Sequence, residues 1–269
     1  MGVRRYDVCM ELLLIALAAA AASSATLISG FGLSTALVPV FALYFTLLLA
    51  ISAVAVVHLF NTLFKVGIMR RDIDWQVALR FGLPAAAAAL LGATLLGALG
   101  EAETLARYSI GTTVYQITPL KVVDGGVILA LVALELSSRA TTLHISPSAL
   151  PVGGFLSGFF GGLTGNQGVL RSAFLLQLRL SPTCFAATGA AGAALVDLAR
   201  LAVYGTGASA AVLESASPLR DALIVAAAAA FAGALGARQL VRVISGALLR
   251  RIVAASMLIV ATLMVAGIV

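Results

Sequence analysis

Charge is what this chain has least of. Only 10% of its 269 residues are Asp, Glu, Lys or Arg, where a soluble domain carries about 25%. That shortage excludes an ordinary water-soluble fold. Cysteine is almost absent: Cys9 and Cys184 stand far apart, which gives neither a disulfide framework nor a thiolate site. Two widely separated histidines add no metal-ligand spacing. HExxH, GxSxG, Walker A and GxGxxG patterns are all missing, and the carboxylates form no intramembrane dyad. The sequence therefore predicts no enzyme, no cofactor and no bound metal.

What remains is apolar. Ala, Val, Leu and their like make up 61% of the chain, in runs long enough to cross a bilayer. The ten-residue alternation of a β-barrel does not occur. The expected fold class is all-α, a polytopic integral membrane protein. The net charge is +6, but the basic residues sit in short connections, as in Arg70-Arg71, Arg238, Arg242 and Arg250-Arg251. Such placement sets membrane topology and gives no reason to expect nucleic acid. The apolar run after Arg4-Arg5 continues without a cleavage site, so it reads as a retained first membrane segment.

Ten apolar segments are predicted: Leu12–Ile28, Leu33–Phe45, Leu48–Ile68, Val77–Leu99, Leu120–Leu136, Leu150–Phe160, Val169–Leu178, Phe185–Tyr204, Ala222–Leu240 and Leu248–Ile268. Those starting at Leu33, Leu150 and Val169 are too short for a comfortable crossing. Ile28-Ser29-Gly30-Phe31-Gly32 matches Leu156-Ser157-Gly158-Phe159-Phe160-Gly161, and a short arm then a long helix follows each. The chain thus divides into an N-terminal membrane repeat (1–138), a cytoplasmic linker (139–147) and a C-terminal membrane repeat (148–269). Each repeat is a glycine-tipped hairpin plus about three transmembrane helices, and an odd number of crossings inverts the second. Arg70-Arg71, Arg139 and the Arg238–Arg251 connection are expected on the cytoplasmic side, with Glu101, Glu103 and Glu214 opposite. Arg4-Arg5 falls outside against this bias, and ten complete crossings are the alternative.

The second hairpin carries a polar run, Gly161-Gly162-Leu163-Thr164-Gly165-Asn166-Gln167-Gly168-Val169-Leu170-Arg171. Four glycines, two amides and an arginine suit a broken helix whose free N–H groups and positive dipole end hold an anion. Candidate substrate contacts are Gly165, Asn166, Gln167, Gly168 and Arg171 here, with Gly30, Gly32, Ser34 and Thr35 at the first tip. A lone arginine costs about 2.5–3.5 kcal/mol in a bilayer on insertion scales. Arg171 therefore needs a cavity, a partner or a substrate, unless it snorkels to the interface.

Candidate gating or coupling residues lie on the two long helices. His58, Asn61 and Lys65 share one face at i, i+3 and i+7. Lys65 either counters a bound anion or, as slightly favoured, snorkels beside Arg70-Arg71. His58 relays protons or hydrogen-bonds a neighbour. Asp197 and Arg200, at i and i+3, suit a mutual ion pair, and Thr188 precedes them.

At these residues the chain resembles the TauE/SafE family, the sulfite exporter or toluene-sulfonate uptake permeases, over nearly its whole length. The carrying segments are Gly30-Phe31-Gly32 with Pro39, Gly158–Gly168, His58–Lys65, Arg71-Asp72-Ile73-Asp74-Trp75, Phe81-Gly82-Leu83-Pro84 and Gly165–Phe174. The resemblance implies transport of sulfur-containing anions such as sulfite, thiosulfate or organosulfonates. With no nucleotide motif, the expected function is a secondary transporter of a small sulfur oxyanion or sulfonate in the cytoplasmic membrane. A passive anion channel and a non-transporting accessory protein are the alternatives. The partners it implies are that anion and membrane lipid, with a homo-oligomer open. Leu33-Ser34 and Asn166-Gln167 depart from the family's triple-glycine pattern. Cys9 and Cys184 do not sit at the tips, which disfavours thiosulfate and leaves sulfite or an organosulfonate.

Overall fold

The computed structural model describes residues 3–29, 33–136, 146–206, 217–240 and 246–268. Gly30, Gly32, Arg139 and Glu214 lie outside the described residues, as does the side chain of Thr35. Helices account for nearly all of the described chain: α1 (Val3–Ser29), α2 (Leu33–Ala42), α3 (Leu47–Met69), α4 (Trp75–Gly100), α5 (Pro119–Leu136), α6 (Leu150–Thr164), α7 (Gly168–Leu176), α8 (Pro182–Tyr204), α9 (Ser217–Leu240) and α10 (Gly246–Val265). The protein is an all-α polytopic membrane protein. Among the described residues, Leu47–Asp72, Trp75–Gly100, Pro182–Tyr204 and Leu219–Gly236 are long and apolar enough to span a bilayer. Large exposed apolar residues such as Leu83, Leu91 and Ile259 point outward, as lipid requires.

Every one of the ten sequence segments coincides with a helix. One element was not foreseen: β1 (Ala106–Ile110) and β2 (Thr113–Ile117) pair antiparallel, Tyr108 opposite Tyr115. β-branched and aromatic residues alternate there, and Gly111 turns the chain at φ 62°. The hairpin closes over the end of α10, where the Tyr108 hydroxyl donates to the Ala266 carbonyl at 2.6 Å.

Helix packing explains the glycines. Gly154, Gly158 and Gly162 repeat every fourth residue on α6, and a Cβ on each would land on the carbonyls of Phe81, Ala85 and Ala89 of α4. Small residues at that spacing let two backbones close without side chains between them. The matching order, 81 with 154 and 89 with 162, makes α4 and α6 parallel. The start of α6 therefore lies at the same end of the molecule as Arg70-Arg71. Gly233 of α9 meets the Ala20 carbonyl of α1 in the same way. The main partnerships are α4 with α6 and α8, α1 with α9, α3 with α8, and α5 with α10.

Length decides what α6 and α7 can do. At 15 and 9 residues they reach about 22 Å and 13 Å, short of a hydrocarbon core of about 30 Å. Their junction lies inside the molecule: Thr164, Asn166 and Gln167 are buried.

Candidate functional site

The break is made by one backbone conformation. α6 ends at Thr164 and Gly165 turns left-handed, at φ 78°. For a residue with a side chain that region costs roughly 1–2 kcal/mol. Space is also short: a Cβ on Gly165 would lie 3.3 Å from Arg200 Nη1, and 3.9 Å from both Ile51 and Ser34. Ser34 stands in the first turn of α2. The start of α2 therefore meets the second hairpin's tip at Gly165.

Side chains fix the tip from within. The Asn166 N–H donates to Thr164 Oγ1 at 3.3 Å, and Asn166 Nδ2 to the Thr164 carbonyl at 3.1 Å. Ser157 Oγ donates to the Gln167 carbonyl at 2.8 Å. Of the last carbonyls of α6, Gly161 O accepts from the Gly165 N–H at 3.0 Å, and α8 supplies further donors. Arg200 Nη1 donates to Gly161 O at 3.3 Å, and the Tyr204 hydroxyl donates to Gly162 O.

Asp197 is the centre of the cluster. Its Oδ1 accepts from Arg200 Nε and Gln167 Nε2, both at 3.0 Å, and lies 2.8 Å from Arg200 Nη2. Its Oδ2 lies 2.6 Å from His58 Nδ1 and 3.4 Å from Thr62 Oγ1. An ionised carboxylate only accepts, so His58 Nδ1 carries the hydrogen. The expected Asp197–Arg200 pair is formed, and His58 joins it from the middle of α3. α3 and α8 are thus tied by hydrogen bonds across their contact.

One expectation needs correction. Lys65 does not snorkel: it is 8% exposed, and it faces Arg171. Arg171 does not take the alternative of reaching an interface either, at 5% exposed. Its guanidinium packs on α8, with Nε 3.5 Å from where a Cβ on Gly189 would be, and it interacts electrostatically with both Lys65 and Asp197.

Other candidates divide. Asn61 Oδ1 accepts from Ser23 Oγ at 3.1 Å, whereas its Nδ2 has no partner among the described residues, and the same holds for Ser34 Oγ and Ser172 Oγ. Gln167 is already engaged with Asp197. Thr188 stands apart from the cluster; its Oγ1 accepts the Asp74 N–H at 3.0 Å. Asp74 in turn caps α4 by accepting from the Val77 N–H at 3.0 Å, so Thr188 fixes where α4 begins.

The tip thus gathers Arg171 and Arg200 near the single carboxylate of Asp197, with Lys65 beside Arg171. Basic side chains there exceed carboxylates by two, three against one. Among the described residues, the buried donors of Asn61, Ser34 and Ser172 have no acceptors. Sequence similarity agrees with that chemistry: the family model of the sulfite exporter TauE/SafE matches residues 14–264. The chain belongs to the TauE/SafE family. TauE/SafE proteins are membrane transporters of sulfite and sulfonates. No curated protein and no solved structure matches the chain significantly.

Sequence reasoning passed over Asp124. It lies in α5, is fully buried, and neither carboxylate oxygen has a hydrogen-bond partner among the described residues. Its signal was present: a carboxylate within the apolar run Leu120–Leu136, eleven residues before the Glu135 near the run's end, where an ionisable residue is costly.

Proposed function

We propose that this TauE/SafE protein is a secondary transporter of the cytoplasmic membrane, not an enzyme, and that it carries sulfite or an organosulfonate through the meeting point of its two interrupted helices. The observation that carries this reading is the excess of buried basic side chains, Lys65, Arg171 and Arg200 against Asp197, beside the Gly165 break, together with donors on Asn61, Ser34 and Ser172 that lack acceptors among the described residues. A surplus cation in a low dielectric is unfavourable until an anion answers it. A sulfur oxyanion answers both needs, because its oxygens accept several hydrogen bonds at once. Gly165, Asn166, Gly168 and Arg171 form one wall, with Ser34 opposite and Lys65 on the Arg70 side. Gln167 orients Asp197.

The packing supports alternating access between two bodies that are not the sequence halves. α1, α2 and α3 take in α9 from the second half, whereas α6, α7 and α8 take in α4 from the first. That exchange fits two inverted repeats, 1–138 and 148–269, wrapped around one another. The two bodies meet where α3 faces α8, at the His58–Asp197 contact. Rocking about that contact opens the anion site to one side at a time.

Counterflow in proteoliposomes tests the reading. Internal unlabelled sulfite should accelerate uptake of labelled sulfite, and Arg171→Ala should slow this at least tenfold, whereas Arg70→Ala, on the exposed turn, should leave it within twofold. Uptake without acceleration would identify a pore. No movement of sulfite or any tested sulfonate would refute the transporter reading.

A further inference from the structure

The anion reading leaves one buried ionisable group unused. Asp124 sits on α5, 0% exposed, and neither of its oxygens has a hydrogen-bond partner among the described residues. Among the described residues, no group of carboxylates, histidines or cysteines around it suits a metal ion, which needs several ligands. The next residue, Gly125, faces Val265 and Ala261 of α10.

The titratable groups about it are few. On its own helix Lys121 precedes it by three residues, and Lys121 Nζ donates to the Gly267 carbonyl at 3.1 Å. From α8, Tyr204 is its electrostatic neighbour. α4 from Phe81 to Gly100, all of α6, and α10 beyond Arg251 carry no ionisable residue. α7 contributes only Arg171. A carboxylate without counter-ion or donor is far costlier charged than neutral in such surroundings.

Tyr204 connects this group to the anion site. Its hydroxyl donates to Gly162 O, while Arg200, one turn earlier on α8, donates to Gly161 O and to Asp197. Tyr204 therefore has Asp124, Arg200 and Asp197 all as electrostatic neighbours, and its hydroxyl shares the α6 carbonyl end with Arg200.

We propose that Asp124 is a proton-binding site coupled through Tyr204 to the anion site, and that proton and anion cross together. This rests on the transporter reading above. In the closed arrangement the carboxyl keeps its proton. It exchanges that proton with water only when α5 and α10 part, and the proton leaves from and returns to Asp124 alone. An ionised Asp124 would offset part of the basic excess at the tip. Protonation therefore strengthens anion binding, and by linkage a bound anion favours the proton by the same factor.

Two measurements test it. The first needs no anion. Infrared spectra of the purified wild type at neutral pH should contain a protonated-carboxyl band that Asp124→Asn removes. If that variant does not fold, Tyr204→Phe should shift the same band. An absent band, or a band untouched by either change, overturns the proposal whatever the substrate proves to be. The second uses methanesulfonate, which does not titrate in this range, and sulfite. In proteoliposomes Asp124→Asn should lower the ratio of pH-gradient-driven uptake to counterflow at least tenfold. Equal falls in both rates would make Asp124 a packing residue and overturn the coupling. An intact infrared result with no transport of either anion would instead defeat the transporter reading alone.

Discussion

Replacing Asp197 by asparagine removes the one negative charge around which the tip is organised. The side chain keeps its shape, but its amide cannot accept from His58, Arg200, Gln167 and Thr62 together. Arg200, fully buried, then loses its counter-ion, and the three basic side chains at the tip face no carboxylate. Breaking a buried pair from one side costs about 3–5 kcal/mol. For a chain of this size that is a fall in melting temperature of roughly 6–20 °C. Thermal unfolding in detergent measures it. Two controls follow from the same geometry. Asp197→Asn with Arg200→Gln should recover most of the loss, because removing both partners leaves no uncompensated charge. Saturating sulfite should also protect the single variant more than the wild type. Ligand at a hundred times its Kd is worth about 2.7 kcal/mol. A single variant as stable as the wild type, or a double variant showing the sum of both losses, would refute the reasoning.

Other consequences are more local. Gly165→Ala should lower the melting temperature and weaken anion binding at least tenfold, because the left-handed turn and the nearness of Arg200 both resist a Cβ; calorimetry with sulfite would show it. Gly158→Val should prevent stable folding by forcing α6 off the Ala85 carbonyl, visible as aggregation on size-exclusion chromatography. Thr188→Val should reduce stability by about 1 kcal/mol through the lost hydrogen bond to Asp74 while sulfite affinity stays within twofold; a large affinity loss would place Thr188 in the site after all.

Much of this was readable in the chain because lipid is a demanding solvent. Every described apolar run is a helix, since only helices and closed barrels satisfy the backbone there. The Gly165 break was legible for the same reason: glycines and amides have no purpose in a plain span. Partner choice was not legible. That Gln167 reaches Asp197, and that Arg200 rather than Arg171 holds the α6 carbonyls, depends on how α8 rotates against the hairpin. Lys65 was misjudged because its spacing from Arg70-Arg71 suggested an interface, whereas its side chain is buried and faces Arg171. The β1–β2 hairpin was hidden by its brevity, and Asp124 by its isolation.

The central claim is that the buried basic cluster of Lys65, Arg171 and Arg200 at the Gly165 break takes a sulfur anion. Isothermal titration of the purified protein with sulfite and with methanesulfonate tests it most directly. The account predicts saturable binding of at least one of them, reduced tenfold or more in both Lys65→Ala and Arg171→Ala. Absence of binding to both anions, or affinities in the two variants equal to the wild type, would contradict it.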